Sequence, residues 1–189
     1  MKIAIISASI RHGRQTHFVS EELGRRLNAS NDIEASLVDL ADYAFPLFQD
    51  THKADAPQHG ADELRTILQQ ADGLLFVSPE YNGSYTAALK NMADHFSKAE
   101  FNKKAIGVVS VSSGAIGGMR GALQMQQLVL ALYAYPIPQM MLVSEVQHKF
   151  DEEGKLTDEA FAKKLDTYLQ EFLWFASAIY EKKKRGNRG

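Results

Sequence analysis

Asp72-Gly-Leu-Leu-Phe-Val-Ser-Pro-Glu-Tyr-Asn-Gly-Ser-Tyr-Thr-Ala-Ala-Leu-Lys-Asn91 decides how the rest of this chain is read. Leu74 to Val77 is a short, unbroken apolar run, the pattern of a strand buried on both faces of a parallel sheet. Ser78-Pro79 predicts its end, because proline brings no donor to the ladder. Asn82-Gly83 predicts a tight turn, and Ser84 is placed to cap a helix from about Tyr85. Leu89, Met92, Ala93 and Phe96 recur at helical spacing, so one face of that helix packs on the sheet. The loop from Ser78 to Ser84 therefore lies at the carboxyl end of a central strand, where open α/β sheets bind their ligands.

Working outward, the same strand-then-helix alternation repeats. Ile3 to Ile6 is a second buried run, followed by a polar loop, Ser7 to Thr16. A helix then starts near Gln15 with Val19, Leu23 and Leu27 inward. Ile33 to Leu40 reads as an edge or near-edge strand. Residues 41–60 form a long irregular connection containing Pro46 and Pro57. Asp62 to Ala71 is a helix with Leu64, Ile67 and Leu68 on one face. Ala105 to Val111 is a fourth strand, and Ser112-Ser-Gly-Ala-Ile-Gly-Gly118 a glycine-rich loop. A helix from Met119 to about Tyr133 is apolar on more than one side, Pro136 and Pro138 break it, and Gln139 to Val143 reads as the fifth strand. The last helix spans about Asp158 to Tyr180, with Phe161, Leu165, Leu169, Phe172, Ala176 and Ile179 inward.

Five strands alternating with five helices predict a three-layer α/β sandwich. A parallel sheet in the flavodoxin-like order 2-1-3-4-5 is covered by helices on both faces. One domain is expected over residues 1–181, and residues 182–189 read as a basic, disordered tail. The chain has 189 residues, enough for a full core, and a net charge of -2 that gives no reason to expect nucleic acid or a membrane surface as partner. It has no cysteine, so disulfides, thiolate metal sites and thiol catalysis fall away, and any redox chemistry must come from a bound cofactor. No run reaches the roughly 20 apolar residues of a membrane span. A cytoplasmic protein is expected. The histidines show no metal-ligand spacing, and no Gly-x-Ser-x-Gly elbow suggests a hydrolase.

In the 2-1-3-4-5 order the loops after strands 1, 3 and 4 are neighbours. Ser9, Arg11, Arg14, Gln15 and Thr16 sit at a helix start, where free amides, hydroxyls and guanidinium groups make a phosphate cradle. Two cations at a helix amino terminus are electrostatically unfavourable unless an anion offsets them. The loop is neither a Walker A sequence nor a three-glycine dinucleotide fingerprint. A flat ring can lie across the second and third loops, in contact with Tyr81.

Ser78-Pro-Glu-Tyr-Asn-Gly83, continuing to Leu89-Lys-Asn91, resembles the signature of the NADPH-dependent FMN reductase family. The likeness extends to Ser9-x-Arg11-x-x-Arg14 and to Ser113-Gly114 with Gly117-Gly118. The resemblance implies non-covalent FMN, with NADPH or NADH as co-substrate. Hydride would pass to the flavin and, in a second half-reaction of ping-pong order, on to quinones, flavins, azo compounds or metal oxyanions. It implies that Ser9, Arg11, Arg14, Gln15 and Thr16 hold the phosphate. Pro79, Glu80, Tyr81, Asn82 and Gly83 would line the ribityl chain and ring, and Ser113 and Gly114 would approach the ring's other edge. No side chain is expected to act as a catalytic acid or base, and Glu80 and Tyr81 enter as pocket residues. A homodimer or homotetramer is also implied. Two other functions fit the same fold: a flavodoxin-type electron carrier, and a non-enzymatic nucleotide- or phosphate-binding relative.

Overall fold

The structure, a computed structural model, describes residues 1–43, 45–49 and 60–186. Six strands are named in chain order: β1 (Lys2–Ser7), β2 (Glu34–Asp39), β3 (Gly73–Pro79), β4 (Ala105–Val111), β5 (Tyr135–Pro136) and β6 (Met141–Val143). The helices are α1 (Gln15–Leu27), α2 (Ala61–Gln70), α3 (Ala87–His95), α4 (Lys98–Phe101), α5 (Met119–Ala131) and α6 (Glu159–Gly186). Every strand pairing is parallel, and the sheet runs β2-β1-β3-β4-β5, with β6 also on β4. The expected strand order and the helices on both faces are those observed.

The period of two along each central strand splits the interior into two cores. Ala4, Ile6, Leu74, Phe76, Ile106 and Val108 face Leu64 and Leu68 of α2, Leu89 and Met92 of α3, and Met125 of α5. Ile3, Ile5, Leu75, Val77 and Val109 face Val19 and Leu23 of α1 and Leu165, Tyr168 and Phe172 of α6. Burial of each such side chain is worth about 1.5–3 kcal/mol, so β3, buried along its whole length, fixes the sheet's centre. Tyr168 is buried too, with its hydroxyl donating to Val108 O at 3.1 Å.

Several boundaries differ from the sequence reading. β3 continues through Ser78 to Pro79, which pairs with Val111. Val77 and Pro79 point their backbone groups towards β1, and β1 has already ended at Ser7, so the missing donor leaves no gap. α3 begins at Ala87 under a Thr86 cap, not under Ser84. It ends at His95, and Ser97 caps the separate turn α4. The fifth sheet position is filled by two short pieces: β5 pairs with Ala105 and Ile106, and β6 with Val109 to Val111. Pro136 and Pro138 lie around the break, where ladder donors are lost.

The basic run Lys182 to Arg185, read from sequence as part of a disordered tail, is the last turn of α6. Cations at a helix carboxyl end are favoured by the backbone dipole. Residues 187–189 lie outside the described residues. So does Pro57 in the 41–60 connection. Its described part is held at Pro46, whose carbonyl accepts from Asn91 Nδ2 at 2.9 Å and lies 2.8 Å from His95 Nε2.

Candidate functional site

The carboxyl ends of β1, β3 and β4 stand side by side, and the loops leaving them enclose a cleft of about 390 Å³. Ser9, Arg11, Arg14, Gln15, Thr16, Pro79, Glu80, Tyr81 and Ser113 all line it. The sequence reading also named Asn82, Gly83 and Gly114, which do not line this cleft but shape its walls.

The first loop leaves β1 with Ala8 N donating to Val77 O at 2.8 Å. Ser9 is buried, and its Oγ lies 3.4 Å from the Tyr81 hydroxyl. The Arg11 guanidinium stands over the Tyr81 ring, 5.6 Å from its centroid. Gly13, at φ +64, turns the chain into α1. That helix opens with no side-chain cap and no acidic residue in its first turn. Its leading N–H groups are therefore free of the partners that usually satisfy them, the arrangement that receives a phosphate or carboxylate.

Arg14 is not simply a free phosphate ligand. Its Nη2 is paired with Asp39 Oδ2 at the end of β2, while its Nε is buried without a partner. Asp39 also accepts from Ala41 N at 3.0 Å, which fixes the carboxylate. His17 Nδ1 lies 3.1 Å from Asp39 Oδ2, yet makes no aligned hydrogen bond. Gln15 Oε1 is a third buried polar atom without a partner here. Such atoms are costly unless a ligand or water meets them.

The second loop is a two-residue hairpin. Asn82 (φ 51) and Gly83 (φ 82) are both left-handed, Tyr81 N donates to Ser84 O at 2.8 Å, and Ser84 N donates to Tyr81 O at 3.1 Å. This is the geometry for which Asn-Gly is the favoured pair. Its effect is to hold Tyr81 against Ser9 and Arg11. Beyond it, the buried Thr86 ties the loops together. Its N–H donates to Ser78 Oγ at 3.0 Å, its hydroxyl donates to Ala8 O at 2.8 Å, and the same oxygen accepts from Leu89 N at 3.2 Å.

Glu80 is committed elsewhere. Oε1 accepts from Arg120 Nε and Nη2 at 3.0 and 2.8 Å, and Oε2 accepts from Gly121 N at 3.1 Å. Burial pulls its pKa up, but the Gly121 amide and the Arg120 guanidinium outweigh it and hold the carboxyl below the ordinary range. Glu80 is thus an anion clamping the start of α5, and it holds no proton to give at neutral pH. The third loop reaches α5 through Gly117 and Gly118, both at positive φ. A Cβ on Gly118 would collide with Ser110 Oγ and crowd Glu80.

Val146 and Gln147, after β6, complete the lining, and Gln147 Nε2 donates to Ser113 O at 3.3 Å. The sequence reading missed them, because nothing in Ser144 to His148 carries a glycine or basic signature. Asp39 was legible in principle, as an acid at a strand's carboxyl end beside two cations. With Asp39 on Arg14 and Glu80 on Arg120, the nearby carboxylates are neutralised, so the cleft favours an anionic ligand. No group of three or more His, Asp or Glu side chains able to hold a metal occurs among the described residues.

A parallel doubly wound sheet, an uncapped helix start and an aromatic wall at the switch point together define a phosphate- or nucleotide-binding α/β protein. Comparison with known proteins narrows this. Residues 1–148 match the family described as NADPH-dependent FMN reductase, and the chain belongs to that family. It is 30% identical over 177 residues to a quinone reductase of Pseudomonas putida, covering 90% of each chain. It is 29% identical over 180 residues to an NAD(P)H-dependent FMN reductase of Pseudomonas aeruginosa, covering 92% of this chain and 95% of the relative. It is 26% identical to an NADPH azoreductase of a Bacillus species, covering 85% and 84%. Among solved structures, the flavoenzyme NAD(P)H:(acceptor) oxidoreductase FerB of Paracoccus denitrificans superposes with a TM-score of 0.77 at 24% identity, over 94% of this chain and 97% of that one; this likeness concerns the fold. The chain is an oxidoreductase of the FMN-dependent NAD(P)H reductase class.

Proposed function

We propose that this chain holds FMN in the 390 Å³ cleft and carries reducing equivalents from NADPH or NADH to small acceptors of the quinone and azo classes. Free flavins and metal oxyanions fall within the same acceptor range. The observation that supports this most is the uncapped start of α1, with the buried, unpartnered Arg14 Nε and Gln15 Oε1 beside it. The α1 amides and Arg14 Nε are donors of the kind a terminal phosphate satisfies, whereas Gln15 Oε1 is an acceptor that a ligand hydroxyl would meet. Bound flavin supplies the hydride and electron chemistry; the protein's part is position and charge.

The amides of Gln15 and Thr16 and the Arg14 guanidinium would take the phosphate. Tyr81, pinned by Ser9 and Arg11, presents a wall to the ring. Ser113, braced by Gln147, brings polar groups to the opposite edge. Arg11 is an exposed cation lining the cleft and suits a phosphate of a pyridine nucleotide. One cleft serving donor and acceptor in turn accounts for a ping-pong order. A one-electron carrier docking on protein partners is less well supported, since such docking favours an acidic rim.

We place the protein in the cytoplasm, and as a homodimer or homotetramer. Ile116 (71% exposed), Leu123 (50%) and Leu130 (61%), in α5 and the loop before it, support the self-association. The functional test is anaerobic addition of NADPH, and separately NADH, to the FMN-reconstituted protein. Loss of flavin absorbance in one two-electron step, restored by a quinone or azo dye, is expected. No loss with either nucleotide would reject the reading.

A further inference from the structure

Beyond the phosphate cradle the cleft does not close. Gly13, Arg14, Gln15 and Gln147 are shared with a second groove of about 550 Å³, which runs between the first turns of α1 and the segment after β6. Its outer wall is aromatic. Phe18 and Phe150 have ring centroids 5.9 Å apart at 47°, leaving parts of both rings at the groove. Phe18 is seated over Gly154, where any Cβ would meet its ring at 2.6 Å. Phe150 is buttressed from behind by Phe161 at 6.2 Å. The rim is polar: Glu152 is exposed and makes no hydrogen bond or ion pair among the described residues, while Asp151 is occupied by Lys155 N at 2.7 Å. At the junction with the cleft lie the unpartnered Arg14 Nε and the His17 ring.

We propose that this groove is an adenosine subsite, so that the cofactor site takes FAD as well as FMN. The inference rests on the flavin reading of the main cleft, because it continues outward from the phosphate placed there. A second phosphate, joined to the first by an anhydride bond, would share the Arg14 guanidinium with it at the junction of cleft and groove. Adenine would stack on one ring of the Phe18–Phe150 wall, the other ring, tilted 47° to it, closing the side of the groove. The ribose hydroxyls would donate to the free Glu152 carboxylate, the acceptor chemistry that dinucleotide sites use. No bond is made or broken. The same carboxylate disfavours a ribose bearing a 2′-phosphate, so the groove suits the adenosine of FAD and not that of NADPH.

The test is titration of the flavin-free full-length protein with riboflavin, FMN and FAD, followed by flavin fluorescence. Glu152→Ala is titrated in parallel; its exposed position leaves folding and FMN binding intact. The expected result is FAD affinity within about tenfold of FMN, both well above riboflavin, and a loss of at least about threefold for FAD alone in Glu152→Ala. Tight FMN with FAD weaker by about a hundredfold or more would overturn the subsite and leave the functional reading standing. So would FAD binding that Glu152→Ala and added 5′-AMP both leave unchanged, since the adenosine would then hang in solvent. Failure of FMN itself to bind would overturn both.

Discussion

Arg14 carries the most specific consequence at the scale of a single residue. Its side chain lines the cleft, with Nη2 held by Asp39 and Nε buried without a partner among the described residues. A charge-assisted hydrogen bond to phosphate is worth about 1.5–3 kcal/mol. Arg14→Ala should therefore raise the FMN dissociation constant about 10- to 100-fold and leave riboflavin affinity unchanged, measured by fluorescence titration. Equal losses for both flavins would place Arg14 away from the phosphate. Glu80 carries a pH prediction. Its folded-state pKa lies below the ordinary carboxylate value of 4.5, so its contribution to stability is fully present above that value and is lost as pH falls through the lower, folded one. Urea midpoints of Glu80→Gln should consequently fall less steeply than those of the parent as the pH is lowered below 4.5. An identical acid limb would mean the clamp on Arg120 and Gly121 adds nothing.

The elements were legible where one signal dominated. β4 could be bounded to the residue, because Ala105 to Val111 is an apolar run between polar flanks. The start of α3 was not. Ser84 and Thr86 are both good caps by type, and the choice fell to Thr86 because only its side chain reaches Ala8 O on the neighbouring strand while accepting from Leu89 N. That is a tertiary contact, invisible in a local pattern. The broken fifth strand has the same origin: two prolines weaken the ladder, but which residues still pair is set by β4. Thr86→Val, which keeps the shape and removes the hydroxyl, deletes the cap and the cross-loop bond together. A cost of about 1–3 kcal/mol is expected in urea unfolding, with a matching loss of FMN affinity as the first and second loops separate. An unchanged midpoint would show that Thr86 merely fills space.

For the whole molecule, strand order did most of the work. Once β3 is central and β1 beside it, Arg11, Tyr81 and Ser113 must meet, although up to a hundred residues of chain lie between them. What the sequence did not disclose is which polar groups would already be spoken for: Glu80 by Arg120, and Arg14 in part by Asp39. Nor did it point to Gln147, which enters the site only because β6 ends beside β4. The apolar outer side of α5 belongs to this scale as well. If the proposed self-association uses this face, Leu123→Lys should shift the protein towards monomer in sedimentation velocity, whereas an unaltered profile would count against it.

The most direct test of the central claim is a crystal structure of the protein grown with FMN. The phosphate should be found on the amides of Gln15 and Thr16 with Arg14 beside it, and the ring against Tyr81 at the ends of β1, β3 and β4. Flavin bound away from those strand ends, or lying with its phosphate outside the start of α1, would contradict the account.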